Sequence, residues 1–178
     1  NVVNNLKSLG VNVLSIVNEE IVTKTRYVDD RSGQILLRVD ENDKIKRINK
    51  DVLTSIKNNN LNNIKIDAII ISDYDKGFLK EKDIKYICQN NSNVFIDTKK
   101  DVDIEDKLVV TLSSKGCKYK DEIFPVKKVS IKDVSGAGDT FLSGLVVEYI
   151  KTKDIRKAIL FAQKCATIVV QKLGVSTI

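Results

Sequence analysis

"DVSGAGDTFLSGL", residues 133–145, sets three small residues, Gly136, Ala137 and Gly138, directly before an acid and then runs into an apolar helix. A loop that ends in a helix N-terminus belongs to layered α/β architecture, in which ligands sit at the carboxyl ends of strands where loops enter helices. Small residues let the backbone approach an anion, the N–H groups of the first helical turn point at it, and the helix dipole favours negative charge there. A carboxylate beside such a cradle repels phosphate if binding is the only task. It makes sense if it accepts a proton from a hydroxyl that attacks the phosphate, because phosphoryl transfer asks for in-line positioning, stabilised equatorial oxygens and an oriented nucleophile. On this reading Asp139 is a general base, and the N–H groups of Gly136, Ala137 and Gly138 form an anion hole. The alternative is that Asp139 and Thr140 cap a helix after a glycine turn, and the short motif alone leaves both open.

Outward from this stretch, strands and helices alternate. Val2, Val3, Leu6 and Leu9 have helical spacing, and Gly10 ends the run. "VNVLSIV" (11–17) predicts a strand. "IVTKTRYV" (21–28) and "QILLRVD" (34–40) flank the turn residues "DDRSG" and predict a hairpin, with the half-polar alternation of a flap that has one wet face. A helix is expected over 49–59, and the polar "KNNNLNN" (57–63) as its end and a loop. "DAIIIS" (67–72) is a continuous apolar run of the kind buried on both faces of a parallel sheet. A helix over 81–91 with Ile84, Ile87 and Cys88 inward, a strand at 94–97, a strand at 107–112 and a hairpin over 117–126 follow. The last two helices are expected at about 140–151 and 154–172, the second with Ile155, Ile159, Ala162, Ala166 and Val169 on one face and Gly174 behind it. The alternation predicts an α/β layered domain with a mostly parallel sheet, to which the early hairpin is appended as a lid.

The 178 residues suit a single domain with a substantial core. A 42% hydrophobic and 30% charged composition is ordinary for a globular protein, and no apolar run approaches the ~20 residues of a membrane span. Nothing reads as an export leader, so a cytoplasmic location is expected. The net charge of +6 is scattered rather than gathered into a basic stripe, which speaks against nucleic acid as a partner. Cys88, Cys117 and Cys165 have no metal-ligand or redox spacing and are expected as buried thiols. The chain has no His, which excludes Ser-His-Asp, Cys-His and His-zinc chemistry within these residues and leaves acid–base work to Asp, Glu, Lys, Tyr or Cys.

"DVSGAGDTFLSGL" resembles the second signature of the PfkB (ribokinase-like) carbohydrate kinases, in which the Asp of the Gly-Ala-Gly-Asp loop is the catalytic base. "NVVNNLKSLGVNV" (1–13) resembles the residues after the Gly-Gly of that family's sugar-binding signature, "TKTRYV" (23–28) its lid strand, and "VVTLSSKG" (109–116) its strand and turn near the nucleotide. The resemblance implies a ribokinase-like three-layer sandwich with a mostly parallel sheet and a small β-hairpin lid at about 21–40. It also implies transfer of phosphate from ATP to a sugar hydroxyl with Mg²⁺. Within the family, "DAIIISDYDKGFL" (67–79), "VFIDTKK" (94–100) and "CATIVVQKLGVSTI" (165–178) are most like the branch that phosphorylates heptose 7-phosphate at C1 for ADP-heptose and lipopolysaccharide-core synthesis. Other sugar or nucleoside acceptors, or an inactive sugar- or nucleotide-binding relative, are the alternatives.

Carried over position by position, the resemblance puts Asn1 near the sugar hydroxyls, Asp73 in the sugar pocket, Lys76 and Arg38 on the sugar phosphate, and Lys99 on ATP. Each also fits a plainer role as a helix, cap or surface residue. Thr111, Ser113 and Gly116 match the nucleotide-side turn, with Ser113 in place of a family glycine. Gln163 stands where many members have an Asn beside the base. Asp133 and Ser135, with segment 174–176, match a loop pair that holds a monovalent cation such as K⁺ in some members. Lids of this kind often pair between subunits, so a homodimer through the hairpin is expected, with a sugar phosphate and ATP as small-molecule partners and no membrane partner.

Two family blocks have no counterpart, one between "NEE" and "IVTK" and one between "DTKK" and "KLVV", where the family carries Asn and Glu residues that organise Mg-ATP. The sequence starts at Asn1 and has no Met, so we expect a single kinase domain over 1–178 that is incomplete as given. An intact mass equal to 20.0 kDa would refute this expectation.

Overall fold

The computed structural model describes residues 1–41, 44–57, 61, 64–100, 102 and 109–178. The apolar run at 67–72 becomes β3 (Ile69–Asp73), which pairs in parallel with β4 (Val94–Thr98), Ile69 opposite Val94 and Asp73 opposite Thr98. Side chains alternate across a strand, and each face of this pair meets a different core. Ile71 and Val94 pack with Ile48, with Leu53 and Ile56 of α2 (Lys50–Lys57), and with Ile84 and Ile87 of α3 (Glu81–Asn90). Phe95 and Ile70 turn the other way, onto Phe141, Leu142 and Leu145 of α4 (Ala137–Thr152) and Ile159 and Ala162 of α5 (Ile155–Val169). This is why the run is apolar at every position rather than at every second one. Helices on both sides of the pair make three layers. Ile84 and Ile159 are fully buried, each stabilising by about 1.5–3 kcal/mol.

α1 (Val2–Ser8) lies against α4 and ends before Gly10, as its spacing predicts. The hairpin forms from β1 (Thr23–Val28) and β2 (Ile35–Glu41), which pair antiparallel. Its turn is closed by Asp29, whose carboxylate accepts from the Ser32 N–H at 2.8 Å and hydroxyl at 2.6 Å. One difference from expectation lies here. Tyr27, Ile35 and Leu37 share a face and are each more than half exposed, so the apolar side is open as well as the polar one. A second difference is at 11–17, where the expected strand does not form. The segment joins no ladder, and Leu14 and Val17 are exposed. β-rich residues make a strand only when a neighbouring edge offers N–H and C=O partners.

The strand expected at 107–112 is β5 (Val109–Thr111), its first two positions lying outside the described residues. It continues through a 3₁₀ turn (Ser113–Lys115) into the expected hairpin of β6 (Cys117–Tyr119) and β7 (Glu122–Phe124), giving an antiparallel order β5-β6-β7. Among the described residues the parallel pairing is confined to β3 and β4. Expected positions 58–60, 62 and 63 also lie outside the described residues. The cysteines are buried thiols, without a disulfide.

Candidate active site

α4 begins at Ala137, three residues earlier than its apolar pattern suggests, because the small residues of the loop already form its first turn. Its N-cap is Gly136 at φ +80°, a left-handed conformation that disfavours other residues. A Cβ at Gly136 would also lie 2.4 Å from Nδ2 of Asn1. No side chain caps the helix, so Asp139 is not the cap that the alternative reading required. Its carboxylate stands half-exposed at the helix mouth and accepts from the Tyr74 hydroxyl at 3.0 and 3.2 Å. Of the three proposed hole amides, the Ala137 N–H donates to the Val134 carbonyl at 3.2 Å. The N–H groups of Gly136 and Gly138 have no carbonyl acceptor among the described residues, and Gly138 is exposed.

The carboxyl ends of β3 and β4 deliver the facing wall. Asp97 at the end of β4 approaches the helix mouth: a Cβ on Gly138 would be 3.9 Å from its Oδ2. Burial, and then the nearby Asp139 charge, push the Asp97 carboxyl up, against the pull of Lys99. Tyr74 follows β3 directly. Burial and the Asp139 charge raise its phenol, so it stays a protonated donor at neutral pH. Its neighbours are held by Lys100, whose ammonium is 2.5 Å from the buried Asp73 and 2.7 Å from Asp75. Asp73 also accepts from Thr98 Oγ1 at 2.9 Å and from the Asp75 N–H at 3.2 Å, which braces Asp75 at φ +58°.

The lid closes the third side. The register puts Lys24, Arg26, Leu36, Arg38 and Asp40 on one face of the hairpin. The Lys24 ammonium sits 4.8 Å from the centre of the Tyr74 ring, so this basic face looks at the site. Arg38 pairs with Asp40 Oδ2 at 2.8 Å, while Asp40 Oδ1 is buried with no partner among the described residues. Burial would raise the Asp40 carboxyl, but Arg38 and then the Lys24 and Lys76 charges hold it below the usual carboxylate range. Asn1 reaches the Gly136 carbonyl with its amide at 3.3 Å, joining the start of α1 to the loop.

Asp133 accepts from the Ser135 N–H at 2.8 Å and the Gly174 N–H at 3.1 Å. These donors, Ser135 first, hold its carboxyl low, with a smaller pull from Arg26. Asp133 and Ser135 thus tie the loop to segment 174–176, in which Ser176 Oγ is buried without a partner among the described residues. Gln163 is brought elsewhere: its buried amide donates to the Phe124 carbonyl at 2.7 Å and fastens β7 to α5. Gly116, at φ +99°, lies where a Cβ would be 2.0 Å from the Phe124 carbonyl oxygen, so packing of β7 alone accounts for a glycine there. Thr111 and Ser113 are exposed along the β5 turn, with Ser113 in the left-handed region at φ +55°. Lys99 is exposed at the end of β4.

Reading the sequence alone misses Tyr74, Lys24, Arg26 and Lys100. Lys24, Arg26 and Arg38 carry a signal, alternation on two paired strands, but it becomes readable only once the hairpin register is known. Among the described residues no group of three or more acidic, Cys or His side chains would hold a metal ion.

A carboxylate thus stands at a helix mouth beside two amides that have no carbonyl acceptor among the described residues, under the basic face of the hairpin. The pattern of the pfkB family carbohydrate kinases matches residues 65–178. The chain belongs to that family. It is 26% identical over 247 aligned positions to the bifunctional protein HldE of a Nitratiruptor species, covering 99% of this chain and 53% of that one. It is 30% identical over 231 positions to the same-named protein of Aliarcobacter butzleri, covering 99% and 48%. The chain therefore spans about half the length of these relatives, and alignments longer than its 178 residues leave stretches of them without a counterpart here. The crystal structure of the Methanocaldococcus jannaschii nucleoside kinase, of the ribokinase family, superposes with a TM-score of 0.57 at 21% identity, over 98% of this chain and 72% of that one, and shows the same fold.

Proposed function

We propose that the chain phosphorylates C1 of a heptose 7-phosphate, the step that the kinase half of an HldE-like protein performs in ADP-heptose and lipopolysaccharide-core synthesis. The observation that carries the reading is the direction of the hairpin's basic face. Lys24, Arg26 and Arg38 look toward the Asp139 site, where a free sugar or nucleoside would leave that charge unused and a sugar phosphate would occupy it. The likeness to HldE proteins over nearly the whole chain supports the same substrate. Asn1, Asp73 and Asp40 Oδ1, which has no partner among the described residues, supply polar groups for sugar hydroxyls, and Lys76 joins Arg38 at the phosphate. Lys99, Thr111, Ser113 and Gly116 line the nucleotide side.

In the reaction the Asp139 carboxylate takes the proton of the anomeric hydroxyl as that oxygen bonds to the γ-phosphorus and ADP leaves. The open amides of Gly136 and Gly138 receive the developing charge at the helix N-terminus. Mg²⁺ would come with the ATP phosphates and would neutralise charge on them; among the described residues no cluster of acidic side chains stands ready to hold it. K⁺ would sit at the loop pair of Asp133, Ser135 and Ser176. The open apolar face of Tyr27, Ile35 and Leu37 supports a homodimer formed lid to lid, since a two-stranded hairpin exposed on both faces is marginal in water. No described helix is long and apolar enough to cross a membrane, and we place the enzyme in the cytoplasm.

A coupled ADP-release screen over free and phosphorylated sugars tests the proposal. Turnover is expected with heptose 7-phosphate at a kcat/KM at least ten times that with fructose, ribose or a nucleoside. Equal or better turnover with an unphosphorylated acceptor would overturn it.

A further inference from the structure

The Tyr74 phenol lies within hydrogen-bond distance of both oxygens of Asp139, at 3.0 and 3.2 Å. A general base that must accept a substrate proton thus already shares the proton of one donor between its two oxygens. The phenol stays protonated and cannot itself relieve the base, because burial and the Asp139 charge raise it, with the Ser72 hydroxyl working against them. Its backbone is fixed by the Lys100 clamp on Asp73 and Asp75, and its ring is overlain by Lys24 of the lid at 4.8 Å. The placement is therefore held from three directions.

We propose that Tyr74 is a positioning residue that caps Asp139 while the sugar site is empty, so that water is not activated against bound ATP. The inference rests on the kinase reading above. Every kinase faces the same wasteful reaction: a water oxygen bonds to the γ-phosphorus, the bond from that phosphorus to the bridging oxygen of ADP breaks, and the water proton goes to the base. With the one phenol proton shared between both carboxylate oxygens, Asp139 is hydrogen-bonded and so a weaker base toward a lone water. An acceptor sugar, anchored by its own contacts to the lid and the β3 end, has the binding energy to displace the phenol from one oxygen, whereas a lone water does not. The phenol then keeps the second oxygen and holds the carboxylate plane toward the acceptor. Lys24 links this exchange to the lid, since moving the hairpin moves the cation over the Tyr74 ring.

The test compares ADP release by wild type, Tyr74→Phe and the double variant Tyr74→Phe/Asp139→Asn, with and without sugar phosphate. Tyr74→Phe keeps the ring, and with it the Lys24 contact, and removes only the hydroxyl. Sugar-independent ATP hydrolysis is expected to rise about tenfold, the equivalent of about 1.4 kcal/mol, with an unchanged thermal midpoint. Sugar-dependent kcat is expected to fall several-fold at constant KM, and the added Asp139→Asn is expected to abolish the excess hydrolysis. If Tyr74→Phe hydrolyses ATP no faster than wild type while sugar-dependent turnover persists in both, the cap is overturned and the kinase reading stands. If the excess hydrolysis survives Asp139→Asn, the cap is overturned too, because the uncapped group is not the base. If wild type shows no sugar-dependent turnover at all, the kinase reading falls and this inference with it.

Discussion

Replacing Asp139 by Asn tests the proposed base with little structural disturbance. The side chain is half-exposed, and among the described residues its side-chain hydrogen-bond partner is the Tyr74 hydroxyl. Asn keeps the shape and an oxygen to accept that hydrogen bond, so a charged bond becomes a neutral one, a loss of about 1 kcal/mol. For a domain of this size that is about 2–4 °C in Tm. The chemical cost is larger. An amide cannot take the proton of the attacking hydroxyl, and a positioned general base is worth about 10²–10⁴ in rate. Stopped ADP-release assays at saturating sugar phosphate should therefore show kcat reduced by at least about a hundredfold, with Tm nearly unmoved. A second readout is independent of turnover. Burial first, and then the Asp139 charge, push the Asp97 carboxyl up, so removing that charge should move the Asp97 titration, followed by carboxyl-carbon NMR, toward lower pH. A folded Asp139→Asn protein retaining more than a tenth of wild-type kcat would refute the assignment of the base. An unmoved Asp97 would refute the juxtaposition of β4 with the helix mouth.

Lys100→Ala leaves the buried Asp73 carboxylate without its cation and should cost about 3 kcal/mol in urea unfolding; a loss under ~1 kcal/mol would mean that the Thr98 and Asp75 hydrogen bonds suffice to hold Asp73. Gly136→Ala forces a side chain into a left-handed position and against Asn1, so stability should fall by about 1–3 kcal/mol, and wild-type stability in that variant would contradict the loop geometry. Arg47 hydrogen-bonds and pairs with Asp83, donating from Nε at 2.8 Å. Burial would raise this carboxyl, but Arg47 and the Lys80 N–H outweigh it and hold it below the usual carboxylate range. A depressed folded value means stability present above about pH 4 and lost as pH falls through the lower folded value. Arg47→Leu should therefore destabilise the protein at pH 7 and flatten that acid loss, and an unchanged pH profile of chemical unfolding would refute the pairing.

Much of the fold was legible because its causes are local. The apolar run at 69–71 needs cover on both sides, and the two cores on the faces of β3 and β4 provide it. The "DDRSG" turn and the 117–126 hairpin were readable from turn chemistry, and α3 from its inward Ile84, Ile87 and Cys88. The segment 11–17 was not, since a strand needs a partner edge that no local pattern reveals. The beginning of α4 was misplaced because small residues carry no apolar period, although they are what the first turn is made of.

For the site, the sequence by itself determined which residue types meet at 133–145: a glycine-rich entry, an acid and an apolar helix, chemistry that is local to a few consecutive positions. It did not determine which amides stay open. The Ala137 N–H is closed by the Val134 carbonyl, and only the path of the chain decides that. Nor did it determine what faces the acid. Tyr74 lies 65 residues away and Lys24 more than a hundred, and they reach Asp139 through the parallel pairing of β3 with β4 and the register of the lid. Local chemistry is written in neighbouring residues, whereas the charge and hydrogen bonding around a catalytic group depend on distances between distant segments, which exist only after the layers have packed.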